Sequence, residues 1–164
     1  ECLPANFPLP IVVIQHMPPN FTHALAERLN RVCALSVAEA KNGDKLTAGQ
    51  VLIAPGGMQC MFDSHGLIKL MAGDDRVNYK PSLDIAFASA ANTFGDKVLG
   101  IVLTGMGADG CEGAKILKQK GGILWSQDEE SCVVFGMPKA VLDAGLSDHV
   151  LSPDQMGSAL NRVS

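Results

Sequence analysis

The sequence predicts an α/β fold, a doubly wound, mostly parallel sheet with helices on both faces and an added β-hairpin. Short β-branched runs alternate with helical stretches along the chain, the order produced when strand, crossover helix and strand follow one another. Those runs are continuously apolar, as strands buried on both faces are. Hydrophobic residues make up 47% of the 164 residues and aromatics only 5%, so the core must be assembled mainly from Ala, Val, Ile and Leu.

The elements follow in order. Ile11-Val-Val-Ile-Gln15 reads as a strand, stopped by Met17-Pro18-Pro19 because proline lacks the N–H and biases its predecessor away from helix. Phe21 to Cys33 repeats apolar residues at Leu25, Leu29 and Val32, a helical face. Gln50 to Ala54 is a strand running into the Pro55-Gly56-Gly57 turn. Met58 to Phe62 and Leu67 to Met71 flank Asp63-Ser-His-Gly66, a hairpin pattern. Ser82 to Asn92 is a helix ended near Gly95, with Ser82 placed to cap it. Val98 to Leu103 is a buried strand, Cys111 to Lys120 a helix, and Gly122 to Gln127 a further strand. Lys139 to Ala144 is a helix closed by Gly145, and Ser152-Pro153 opens the last helix. No repeat, low-complexity tract or linker interrupts the chain, so residues 1–164 read as one domain, large enough to bury a core.

Composition excludes several functions. A net charge of −4 and the lack of any basic run argue against a nucleic-acid surface. No apolar stretch approaches 18 residues and no signal peptide is visible, so no membrane insertion is expected and the location is read as cytoplasmic. Cys2, Cys33, Cys60, Cys111 and Cys132 are widely spaced and odd in number, as reduced thiols of a cytosolic protein are. Neither C-x-x-C nor H-E-x-x-H occurs, so no metal site is expected. His23 reads as a helix residue and His65 as a turn residue.

Leu103-Thr-Gly-Met-Gly-Ala-Asp-Gly110 carries the most chemistry and admits two readings. Gly105, Gly107 and Gly110 match G-x-G-x-x-G between a strand and a helix, and Asp128 follows the next strand, as in a dinucleotide-binding unit. Against this, Asp109 places a carboxylate where a pyrophosphate would seek backbone N–H donors. In the second reading Asp109 is itself catalytic. His16 ends the first strand as Asp109 follows a later one, and ligands of open parallel sheets bind outside the carboxyl ends of the strands. An imidazole oriented by a carboxylate accepts the proton of a hydroxyl nucleophile. The same residues also fit a plainer role, His16 as a hydrogen-bonded loop residue and Asp109 as a helix cap.

Three motifs carry a resemblance: QHMPPNFT (Gln15 to Thr22), LTGMGADG, and QDEESCVVFGMPKAV (Gln127 to Val141), with support from Val51 to Gly56 and Tyr79 to Asp84. In this order they resemble the catalytic domain of the bacterial chemotaxis protein-glutamate methylesterases of the CheB type, from about residue 7 to the C-terminus. The resemblance implies a Ser-His-Asp hydrolase acting on glutamyl methyl esters of chemoreceptors, and deamidating their glutamines, without a cofactor. His16 corresponds to the motif histidine, Asp109 to the motif aspartate, and Met106 to the residue whose backbone N–H helps to hold the oxyanion. Methylated chemoreceptors, and an N-terminal response-regulator domain in the full-length protein, are the implied partners.

The family's nucleophile lies in a G-x-S-T-G-G loop some two dozen residues before the histidine, farther than Glu1 lies from His16. The chain is therefore expected to lack its N-terminal strand and serine loop, and not to turn over as it stands. Ser82 reads as a helix cap, Ser126 and Ser131 lack flanking glycines, and nothing marks Cys111 as activated. A non-catalytic receptor-binding module is the alternative if the serine was lost naturally.

Overall fold

The N-terminal part of the chain is organised around β3 (Gln50–Ile53), which pairs in parallel with β1 (Ile11–Val13) on one side and β2 (Ser36–Glu39) on the other. The computed structural model describes residues 3–163. Val51 and Ile53 of β3 join Phe7, Ala26, Leu35 and Val37 in one apolar cluster, with Leu25 and Leu29 of α1 (Phe21–Val32) packed against it. The intervening Leu52 enters a second cluster with Ala40, Ala54, Cys60 and Ile68. Successive side chains of a strand point to opposite faces, so both faces of β3 are covered, in keeping with its unbroken apolar run. β4 (Met58–Phe62) and β5 (Ile68–Ala72) form the expected antiparallel hairpin. Its turn is held by Asp63, whose carboxylate accepts the N–H groups of His65 and Leu67 at 2.8 and 3.0 Å. These residues, with the chain from Gly157 onward, make one compact unit.

Leu83–Met156 makes a second unit. Here β7 (Ile123–Gln127) is central, parallel to both β6 (Leu99–Val102) and β8 (His149–Leu151). α2 (Leu83–Phe94) packs on α3 (Cys111–Gln119), and α4 (Met137–Asp143) packs against β7. Val102, Ala114, Leu117, Leu124 and Val141 are fully buried. Gly113 lets the two helices approach, because a Cβ there would lie 2.5 Å from the Asp84 carbonyl oxygen. α5 (Pro153–Leu160) opens as the Ser-Pro signal predicts, in a capping box. The Ser152 hydroxyl accepts the Gln155 N–H at 3.2 Å, and the Gln155 side-chain oxygen accepts the Ser152 N–H at 2.9 Å.

β1 is shorter than expected, ending at Val13, and α4 begins at Met137, two residues before the expected Lys139. β2 and β8 add to the expected strands. No helix among the described residues is long and apolar enough to cross a membrane.

Candidate active site

In the first unit, His16 lies half-buried on the loop that leads from the carboxyl end of β1 to α1. Its imidazole is stacked on the ring of Tyr79, with centroids 4.5 Å apart and planes at 16°. Tyr79 is fixed from behind by Gln59 of β4, whose Nε2 donates to the Tyr79 carbonyl at 2.7 Å and whose Oε1 accepts the Ser82 N–H at 2.8 Å. The ordinary roles expected for His23 and His65 hold: His23 faces Glu27 on α1 at 3.6 Å, and His65 sits in the hairpin turn.

In the second unit, the loop after β6 carries Met106 and Asp109 together. Asp109 is 4% exposed. Its Oδ2 accepts the Leu83 N–H at 2.7 Å and its Oδ1 the Asp84 N–H at 3.0 Å, so it occupies the open N–H groups at the start of α2. Asp84 returns the arrangement. Its Oδ1 accepts the N–H groups of Gly110 and Gly113 at 3.0 and 2.8 Å, at the start of α3. Asp109 thus caps not the helix that follows it in sequence but the one before, while Asp84 caps the helix that follows Asp109. Burial pushes the Asp84 carboxyl up, the Gly113 N–H opposes this, and the negative charge of Asp109 pushes it up further.

Met106 is 80% exposed at the tip of the same loop. Among the described residues its N–H meets no backbone carbonyl. The residues just before the tip are tied to the loop before α4. The Gly105 N–H donates to the Val134 carbonyl at 3.0 Å, and the Gly105 carbonyl accepts from Gly136 and Met137 at 3.1 and 2.8 Å. The Thr104 hydroxyl donates to the Val134 carbonyl at 3.0 Å and accepts its N–H at 2.9 Å. Gln127, 4% exposed at the end of β7, accepts the Thr104 N–H at 2.8 Å. Its Nε2 donates to the carbonyl and hydroxyl of Ser131 at 3.0 and 3.1 Å. The amide of Gln127 therefore joins the two loops by satisfying both.

The remaining nucleophile candidates are spoken for. Ser126 is fully buried with its hydroxyl 2.8 Å from that of Ser147, and the Ser131 hydroxyl engages Asp128 and Gln127. Burial pushes the thiol of Cys111 up and that of Cys60 to about 12, the opposite of activation. Tyr79, beside His16 in the first unit, and Asp84 and Gln127, around the Met106–Asp109 loop in the second, are not singled out by the sequence alone. Each lies inside a stretch that carried the resemblance, but their roles depend on partners distant in sequence.

Comparison with known proteins places the chain in a family. The CheB methylesterase family model matches residues 1–160. The chain is 61% identical over 159 residues to a protein-glutamate methylesterase/protein-glutamine glutaminase of Saccharophagus degradans, covering 96% of this chain and 44% of that protein. It is 59% identical over 158 residues to one from Pseudomonas putida, covering 96% and 43%. The chain thus spans less than half the length of these curated relatives. The crystal structure of the Thermotoga maritima CheB methylesterase catalytic domain superposes with a TM-score of 0.93 at 41% identity, covering 99% of this chain and 87% of that one. The mostly parallel, doubly wound α/β fold is therefore that of a known catalytic domain, and the chain belongs to the CheB methylesterase family.

Proposed function

We propose that residues 1–164 act as a single methylesterase catalytic domain that hydrolyses glutamyl methyl esters on chemoreceptors and deamidates glutamine side chains by the same acyl chemistry. The reading is carried by one observation: a histidine and a buried, backbone-anchored aspartate each follow the carboxyl end of a parallel strand, both within the span the family model matches. A serine preceding His16 in a longer polypeptide supplies the nucleophile. His16 takes its proton as the hydroxyl attacks the ester carbonyl, returns it to departing methanol, and then activates water against the acyl-enzyme. Asp109 orients His16 and stabilises the imidazolium. The Met106 N–H stabilises the oxyanion, a contribution of about 3 kcal/mol for one such donor. Deamidation follows the same steps with ammonia leaving. The partners are the receptor's methylated segments and a response-regulator domain in the whole protein, all in the cytoplasm.

Methanol release from methylated receptors, measured on a polypeptide that includes the serine loop, tests this. His16→Ala is expected to lose orders of magnitude in turnover, and Asp109→Ala less, because an unoriented imidazole still acts as a base. Near-normal turnover by His16→Ala overturns the assignment.

A further inference from the structure

His16 sits on a proline-bounded loop, outside any helix or strand that would restrict its side chain, yet a general base must be held in place. Among the described residues, the ring stacked on it belongs to Tyr79. We propose that Tyr79 is a positioning residue for His16, its ring forming the shelf that fixes the plane of the imidazole.

Three features carry this, resting on the assignment of His16 as the base. First, centroids 4.5 Å apart with planes 16° from parallel describe a face-to-face stack, in which the imidazole keeps rotation within its own plane but loses tilt. Both ring nitrogens lie at the edge of that plane, so the stacked face itself does not cover them. Second, the shelf is itself rigid. The backbone around Tyr79 is pinned to the start of the hairpin by both ends of the buried Gln59 amide and by the Gly57 N–H, which donates to the Lys80 carbonyl at 3.0 Å. A buried amide bonded through both its nitrogen and its oxygen transmits little slack. Third, the ring rather than the hydroxyl is engaged: among the described residues the Tyr79 hydroxyl makes no hydrogen bond. An aromatic face also favours a cation stacked on it, so the shelf would support the imidazolium formed during turnover.

The role matters because proton transfer is sensitive to placement, and a misplacement of about 1 Å costs about 100-fold in rate. The test has two arms. In the chain itself, the carbon-bound protons of the His16 imidazole should show an upfield ring-current shift by NMR. That shift should persist in Tyr79→Phe and vanish in Tyr79→Leu. In a polypeptide that includes the serine loop, Tyr79→Leu should lower kcat by about 10- to 100-fold with KM changed little, and Tyr79→Phe should restore kcat. If Tyr79→Leu does not fold, as judged by its melting transition, Tyr79→Met replaces it. Absence of the ring-current shift in the parent overturns the proposal, and so does an unchanged kcat in Tyr79→Leu. The kinetic arm is read beside His16→Ala. A dead His16→Ala with a fully active Tyr79→Leu overturns this proposal alone, whereas an active His16→Ala overturns the functional reading beneath it.

Discussion

Asp109 and Asp84 exchange helix caps: the carboxylate of Asp109 accepts the first N–H groups of α2, and that of Asp84 accepts those of α3. Two charge-assisted bonds therefore hold the proposed orienting carboxylate, and two more hold Asp84 beside it, before any substrate arrives. A helix start offers unpaired N–H groups and a positive dipole end, so each carboxylate sits where its charge is favoured. The two charges also repel one another at close range, which is the cost of the arrangement.

This reciprocity predicts different outcomes at the two positions. The folded-state pKa of Asp84 is raised by burial and by Asp109. Stability from Asp84 is therefore fully present below the ordinary carboxylate value, about 3.9, and is lost as pH rises through the elevated one. Asp84→Asn keeps an acceptor oxygen and removes that loss, so at neutral pH it should melt no lower than the parent. Asp84→Ala leaves two N–H groups without their acceptor and should cost about 1–3 kcal/mol. Asp109→Asn turns one acceptor into a donor facing an N–H, so it should destabilise the fold as well as slow turnover. Denaturant melts at pH 4 and pH 7 check the set, and an Asp84→Asn protein less stable than Asp84→Ala at pH 7 would contradict it.

Asp148 should behave oppositely with pH. Its carboxylate receives Lys118 Nζ at 2.7 and 2.5 Å and the Leu124 N–H at 2.7 Å, tying α3 to β7. The Lys118 ammonium beside it holds its pKa below the usual carboxylate value. Its contribution is complete above about pH 4 and is lost as pH falls through the depressed value. The pair is a third exposed, so Asp148→Ala should cost only about 1 kcal/mol at pH 7. In melts run down the acid limb, the parent and Asp148→Ala should converge. A gap that widens toward low pH would refute the pairing as the source of stability.

The parts of the fold readable in the sequence are those whose pattern is local. The runs at β3 and β6 are apolar and bounded by glycine or proline, so strand follows from composition alone. β2 carries a single buried side chain, Val37, and β8 carries none, so neither shows a pattern until its parallel partner is in place. The site divides in the same way. Asp109 stands out because glycines mark the hand-over from strand to helix, but its capping of α2 joins it to residues 26 and 25 positions earlier, beyond any local motif. The stack of Tyr79 on His16 joins two loops far apart in sequence, and no periodicity encodes it.

Gln127 is expected to govern the loop that carries Met106. Replacing it by Glu keeps an acceptor for the Thr104 N–H but removes the donor that meets both Ser131 oxygens, and brings a carboxylate toward Asp128. Gln127→Glu should therefore cost about 1–3 kcal/mol, as Gln127→Ala should. Amide exchange localises the effect. The Thr104 and Val134 N–H groups should lose protection in Gln127→Ala, while α3 amides keep theirs until global unfolding. Uniform loss of protection across the second unit would show that Gln127 supports the core rather than the loop.

The glycine pattern of the same loop should bind no dinucleotide, because close packing and backbone conformation already require those glycines. A Cβ on Gly105 would lie 2.5 Å from the Met137 sulfur, and one on Gly110 would lie 2.6 Å from Leu83 Cδ2. Gly110 also has φ 101°, a left-handed conformation that glycine adopts without strain. The N–H groups of Gly110 and Gly113, which a pyrophosphate would need, already bind the Asp84 carboxylate. A phosphate approaching them would meet that charge and have to displace it. Calorimetric titration with NAD or FAD into the millimolar range should give no saturable heat. Saturable binding to the parent chain would reinstate the cofactor reading. Binding that appears only in Asp84→Ala would show that the carboxylate alone keeps a phosphate out, leaving the hydrolase assignment of the loop intact.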